Sequence, residues 1–552
     1  KSKYDIYHLD LGTMYVTGGG YDFLDRKDNM AGTATDLASQ INIASTSGVY
    51  QGTVTSPLVH LRLQDNLPFD LDLRGQFRFA PNALELQSIA MRGAGMAFFL
   101  RGRMAPLADA VYNLHVTSEV ALPRVKQIFR VQAALEGIVA FDGNLRGRQG
   151  TIALDGAWRS PKVRADAYEL ADAAGHLSVT DTHTVVDIQS ARYGGGTIAA
   201  HYVLPQYNEP YPQSVDLRYN NISLEKLFSD WKVEDTGLRG GLTGQLAYHW
   251  TKDQLLAGRG QGGAKLSKNT VAFSNATYPV PITGGNTNFT LDAGVVTFRE
   301  GTLITDASRI NFTGKLRIED LSTDLLLQIH SADFAELDRA AYNFARSAGK
   351  KSYTLLGLGG AGDMTGSVTG RLKTPRVVAH IAESGTKYND VDLGDSDIDL
   401  RYDGAKSVLT FERANFRSAT GARLSLTGTV TFPDSGPSPR FDLAVEALNY
   451  PVDRAIATVS LKMAINGIGT GKVLITGTPD TGRARFVNLL VHQNTAELRL
   501  NGDLDWSPGK GNLDFSLDIA ARSFPVADIA KFLDLGTSLP ITGDLTGTLH
   551  LE

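Results

Sequence analysis

The segment Phe69-Asp-Leu-Asp-Leu-Arg-Gly-Gln-Phe-Arg-Phe79 alternates apolar and polar side chains along its length. In an extended strand successive side chains point to opposite faces, so this spacing fits a strand with one apolar and one wet face. Phe69, Leu71, Leu73, Phe77 and Phe79 fall on one side, and Asp70, Asp72, Arg74, Gln76 and Arg78 on the other. The period returns at Tyr112/Leu114/Val116, Val215/Leu217/Tyr219, Leu325/Leu327/Ile329, Phe441/Leu443/Val445 and Phe515/Leu517/Ile519. Turn signals separate such runs: Pro81-Asn, Asp403-Gly, Asp434-Ser-Gly-Pro, Asn501-Gly and Ser507-Pro-Gly. An all-β chain is expected, with strand in more than half of its residues. At roughly a dozen residues per strand and turn it would hold about 45 strands.

The strands come in repeats. Five of the alternating runs lead into a short pattern with apolar residues three or four apart, which predicts small helices over 122–130, 223–230, 333–346, 451–457 and 525–534. Pro123, Pro451 and Pro525 stand where a first helical turn tolerates proline. A glycine-punctuated strand follows: Gly240-Gly-Leu-Thr-Gly244, Gly362-Asp-Met-Thr-Gly366, Gly467-Ile-Gly-Thr-Gly471 and Gly543-Asp-Leu-Thr-Gly547, with Gly137-Ile-Val-Ala-Phe141 as a degenerate copy. A second cue precedes the helices: Leu100-Arg-Gly, Phe312-Thr-Gly, Leu426-Thr-Gly and Leu500-Asn-Gly. The repeats divide the chain at 1–136, 137–239, 240–361, 362–466 and 467–542, with 543–552 opening another. No linker separates them, which fits one continuous elongated sheet. Both ends fall within strand-like sequence, and a longer parent protein is expected.

Charged residues make up 20% of the chain and the net charge is −5, against the basic balance of nucleic-acid binders. No cysteine is present, which excludes disulfides and thiolate metal sites. No apolar run reaches the 18 residues of a membrane-crossing helix, and no signal peptide is evident.

Signals for chemistry are weak. Gly194-Gly-Gly196 lacks the Gly-Lys-Ser/Thr ending of a phosphate loop and no helical pattern follows it, so a bulge or tight turn is expected. The eleven histidines are scattered; His176 and His183 are the nearest pair, without metal-ligand spacing. Asp390, Asp392, Asp395, Asp397 and Asp399 form an acidic run without the glycine and glutamate of a calcium loop, and read as a wet sheet face. No Gly-x-Ser-x-Gly elbow is found. No enzyme, cofactor or resident metal is expected. The apolar strand faces fit either a packed core between two sheets or the lining of a groove, since both need one apolar face per strand.

The Gly-x-Leu-Thr-Gly units, Pro161-Lys-Val and Pro375-Arg-Val after them, and Ala191-Arg-Tyr-Gly-Gly-Gly-Thr197 resemble the TamB branch of the AsmA-like family, the bridge-like lipid transfer proteins of Gram-negative envelopes. The likeness covers nearly the whole chain. It implies a long curled sheet, a taco-like groove open along one side, with short helices between repeats. It also implies a periplasmic protein that passes phospholipid between inner and outer membranes without catalysis, in support of outer-membrane biogenesis. Acyl chains would lie in the groove against Phe69, Leu71, Leu73, Phe77, Phe79, Leu114, Val116, Leu217, Leu325, Leu327, Ile329, Phe441, Leu443, Val445, Phe515, Leu517 and Ile519. The family's inner-membrane helix and its domain docking on an outer-membrane barrel protein have no counterpart in this sequence. An elongated stalk or adhesin with a filled core is the alternative. A polysaccharide-cleaving enzyme is third, and would need a carboxylate pair in a cleft.

Overall fold

The computed structural model describes residues 12–552 apart from 26–29, 46–47, 64–65, 110, 131–133, 149–150, 206–211, 234–235, 252–253, 270, 272, 274–275, 348, 350–352, 390, 434–437, 459–465, 508–511 and 533–542. The strand-like opening at 1–11, Asp390, the turns at 434–437 and 508–509, and the end of the last expected helix lie outside the described residues.

The chain is all-β: 73% strand and 9% helix. The described residues form 31 strands, fewer than expected because many run to 12–16 residues and are joined by tight turns. Five α-helices stand where the periodicity places them: α1 (Leu122–Phe129), α2 (Leu224–Asp230), α3 (Phe334–Ser347), α4 (Val452–Thr458) and α5 (Val526–Phe532). None is long and apolar enough to cross a membrane.

Two compact units divide the chain. One holds residues 1–222 and 244–260, the other 223–243 and 261–552. Within the first, strands from Thr13–Asp25 to Gln213–Ser223 pair antiparallel, each with its sequence neighbours. Within the second, the same holds from Val280–Asp292 to Asp544–Leu551. The short strand Leu238–Arg239 adds a parallel pairing to Val280–Pro281. Among the described residues no pairing joins the first strand of a ladder to its last, and the sheet is open and uncurled where a curled one was expected.

The hairpin turns follow from local chemistry. Gly194 and Gly195 both take positive φ between strands His183–Tyr193 and Gly196–Pro205, which makes the triple glycine a two-residue hairpin turn rather than a phosphate loop. Three helices share an entry device. Asn221, Asn449 and Ser523 each adopt positive φ three residues before α2, α4 and α5. The kink carries the next residue inward, and Ile222, Tyr450 and Phe524 are all buried. Sequence periodicity did not reveal this, because asparagine and serine in a strand read simply as polar positions.

Candidate apolar face and its rims

Residues directly opposite one another in an antiparallel pair share a face, so the registers trace each face across the sheet. In the first unit one row runs Gly52–Phe77–Leu86–Gly102–Leu114–Leu145–Leu154. The next row runs Leu73–Met91–Phe98–Ser118–Phe141–Trp158–Gly175–Ile188–Ala200–Leu217. Phe69, Leu71 and Phe79 lie on the same face of their strand, and Val116 on that of Leu114.

The second unit repeats the arrangement. One row is Leu327–Gly366–Ala379–Leu400–Phe411–Gly428–Leu443–Ile475–Ala484–Leu504–Phe515. Beside it runs Ile329–Met364–Ile381–Ile398–Ala414–Leu426–Val445–Val473–Phe486–Gly502–Leu517. Leu325 and Phe441 share a third row, and Ile519 faces Leu500. Within each unit, then, the residues singled out from alternation share one face.

The apolar-x-glycine cue acquires a cause here. Gly102, Gly314, Gly428 and Gly502 lie opposite Leu114, Leu325, Leu443 and Leu517. Gly314 has φ +132°, which an L side chain avoids, and a Cβ there would strike the carbonyl oxygen of Asp324. At all four positions a Cβ would come within 2.0–2.3 Å of a carbonyl oxygen of the facing strand, so glycine lets the two backbones approach.

Burial along the face is uneven. Phe69, Leu73, Phe77, Leu217, Leu325, Leu327, Phe441, Leu443, Val445 and Phe515 are half-buried, and Phe79 is 40% exposed. Leu71, Leu114, Val116 and Ile329 are buried, and Leu517 and Ile519 are wholly so. The last two belong to a filled core with Val491, Leu498, Leu500, Leu504, Phe524 and the α5 residue Ile529. A ligand reaches those two only if that packing opens. Near the opposite margin of the first unit's face, a concavity of 630 Å³ opens beside Tyr112, Gly147 and Ile152.

One margin of the face is closed by helices. Ile128 of α1 packs on Leu71 and Met96, Leu224 of α2 on Leu266 and Ile282, and Val452 of α4 and Ile529 of α5 join the filled core. The margin beneath α3 differs. Its row is Ser308–Ser331–Gly362–Glu383–Ser396, all but the glycine buried polar residues. The Ser308 and Ser331 hydroxyls lie 3.0 Å apart, and Thr386 Oγ1 donates to Ser396 Oγ at 2.8 Å. Glu336 of α3 accepts from Thr305 Oγ1 and, at 3.1 Å, from the Ala307 N–H. Glu383 is 8% exposed and its Oε1 has no hydrogen-bond partner. Burial pushes its carboxyl up to about 7, and the charge of Asp333 adds to the rise against the pull of the Thr386 and Ser396 hydroxyls. Alternation held the signal for this residue: Val377, Ala379, Ile381 and Glu383 share one face.

The polar face carries cross-strand polar pairs. His60–Asp70, His201–Asp187, His330–Asp363, His380–Asp399 and His550–Asp518 are directly opposite pairs at 2.6–2.9 Å. His176 meets Asp155 at 2.7 Å, while His183 bonds Thr182 in a turn. Arg483 and Arg485 each grip a carboxylate with two nitrogens, Asp505 and Asp503. In the acidic run, Asp392 lies 3.9 Å from Arg454, and Asp395 accepts from the Gly385 N–H. His380, Asp397 and Asp399 are close enough to hold a metal ion among the described residues. Arg413 already lies 2.8 Å from Asp397 and 2.7 Å from Asp399, and a metal would have to displace it. The hydrogen bond from His380, with Arg413, holds the Asp399 carboxyl below its usual range.

Compared with known proteins, the chain matches no family model, no curated protein and no solved structure.

Proposed function

We propose that the apolar face of each unit binds acyl chains, and that the protein carries phospholipid between membranes without catalysis. The observation behind this is the two adjoining rows of half-buried apolar side chains passing from strand to strand on a single ladder, with Phe77 in one and Leu73 and Leu217 in the other. Each methylene that leaves water for such a face gains about 0.8 kcal/mol, while headgroups stay in solvent. The resemblance to TamB/AsmA-like proteins supplies the rest of the reading. The protein would work in the periplasm as part of a longer chain, tied to the inner membrane by a helix and to an outer-membrane barrel protein by a further domain. Lipid extraction and native mass spectrometry of the purified chain test the first step. Co-purifying phospholipid, lost on Phe77→Asp, is expected; a lipid-free chain that also fails to take up a fluorescent acyl probe ends this reading.

A filled-core stalk is the second reading, favoured by the packing around Leu500 and Leu517. It predicts that the acyl probe finds no binding site anywhere on the chain.

A further inference from the structure

At the margin of the first unit away from α1, Ala80, Met104 and Arg148 end their strands. Two neighbouring rows of side chains meet there, one on each face of the sheet. On the apolar face the row is Phe79–Leu84–Met104–Tyr112–Gly147–Ile152. On the polar face the adjoining row is Arg78–Glu85–Arg103–Asn113–Arg146. No α-helix covers this margin among the described residues, since α1 packs at the other end of the strands, on Leu71 and Met96. Phe79 and Ile152 are 40% and 44% exposed. The Tyr112 ring lies over Gly147, where a Cβ would strike it, and its hydroxyl donates to the Thr151 carbonyl oxygen at 3.3 Å. The ring body thus sits in the apolar row and its polar tip at the rim.

The stretches 76–88, 101–115 and 144–148 make up this margin. They hold five arginines against two carboxylates, in a chain whose net charge is −5. Glu85 reaches Arg78 at 4.0 Å and Asp109 reaches Arg148 at 3.7 Å. Arg101, Arg103 and Arg146 are exposed and make no ion pair among the described residues. Asp181, on the turn beyond, accepts from the Ile152 N–H at 2.9 Å. The concavity of 630 Å³ is bordered by both rows, with Tyr112, Ile152 and Arg146 among its walls. The second unit gives the contrast. It too has an apolar row from Leu325 to Phe441, but the polar row beside it, from Asp324 through Arg376 and Asp403 to Arg440, balances two basic residues with two acidic ones. The surplus of arginine belongs to the first unit and is no requirement of the architecture.

We propose that this margin of the first unit seats on a membrane surface that carries anionic lipid. Phe79, Tyr112 and Ile152 enter the headgroup region, and Arg101, Arg103 and Arg146 meet lipid phosphates. The two rows stand back to back at one edge, so a single amphiphilic partner satisfies both: apolar side chains leave water while guanidinium groups reach phosphate. Aromatic rings with a polar tip suit that boundary. A soluble polyanion would answer the arginines and leave the apolar row in water. Seating of this kind does not require lipid to travel along the apolar face, so it stands apart from the lipid-carrying reading.

Vesicle flotation of the full chain tests the contact, with phosphatidylcholine vesicles set against phosphatidylcholine mixed with phosphatidylglycerol. The chain should float with the mixed vesicles far more than with the neutral ones, and added salt should weaken the binding. Arg103→Gln/Arg146→Gln should weaken it roughly thirtyfold, about fivefold for each lost charge. Ile152→Ser should weaken it as well, whereas Arg376→Gln/Arg440→Gln in the second unit should leave it unchanged. Thermal midpoints equal to the parent's show that these exposed substitutions leave the chain folded. Absence of flotation, or flotation indifferent to phosphatidylglycerol, overturns the proposal, and so does an equal loss in the second-unit variant. Binding that the arginine variant abolishes and Ile152→Ser leaves untouched marks a soluble polyanion as the partner and overturns it too. A chain that floats as expected yet takes up no acyl probe keeps its membrane contact and loses the carrying function.

Discussion

The strands around Phe69–Ala80 and those of Gly482–Pro525 alternate in the same way, yet their apolar faces differ. Phe77 faces Gly52 and Leu86, and its row continues to Gly102. Leu500 faces Leu489 on one side and Ile519 on the other, and it is wholly buried. Bulky neighbours on both sides, with Phe524 and α5 at the margin, fill the second region, whereas Phe77 and Leu73 stay half-buried. A half-open apolar face and a filled core can thus be written in one strand pattern.

Charge separates the two regions most sharply. Leu517→Asp places an unpaired carboxylate in the filled core and should remove 4 kcal/mol or more of stability, about the size that unfolds a marginal domain. Leu327→Asp lies on a half-buried stretch where water can reach the new charge. Chemical denaturation should show it folded, while a lipid-transfer assay shows it obstructed. Normal transfer by the folded Leu327→Asp variant would mean that lipid does not pass this face.

Truncation gives a smaller contrast. Leu500→Ala should cost roughly 3 kcal/mol through lost burial and an unfilled cavity. Leu73→Ala should cost only about 1 kcal/mol, because its side chain is already partly in water. Equal losses in urea unfolding would mean that the first region is packed as densely as the second.

Next comes pH. The folded chain favours the neutral form of Glu383, so its contribution is intact at or below the unfolded value near 4.5 and declines as pH rises toward about 7. By linkage the decline amounts to about 3.4 kcal/mol at most. Glu383→Gln should flatten this part of the stability profile. An unchanged slope would assign the pH dependence to other groups. In the smallest case, Phe79→Ala, at a 40% exposed site, should leave stability within about 1 kcal/mol of the parent while weakening uptake of an acyl probe.

Much of the fold was legible in the sequence. The helix after Phe441/Leu443/Val445 was placed from its spacing, and Leu327, Leu443 and Phe515 share one row although they come from different repeats. The uneven burial was not legible, because it depends on what packs over each strand from elsewhere in the chain, as Phe524 and Ile529 do in the core that holds Leu517 and Ile519. Register is a long-range property that alternation within one strand does not encode. The polar margin under α3 was half legible. Glu383 stood in an inward position, but its unpartnered oxygen depends on Gly360 and on the placing of α3.

Pairing that runs almost throughout between neighbouring strands also governs how such a chain acquires its structure. Even the widest hairpin, from Ser322 to Arg371 around α3, closes a modest loop. Closing it demands little chain entropy compared with joining distant strands. Ordering can therefore start at many hairpins and spread outward, giving rapid assembly for a protein so rich in strand. The same locality allows sections to open on their own, and amide hydrogens around Leu500 should exchange last while those around Phe77 exchange early.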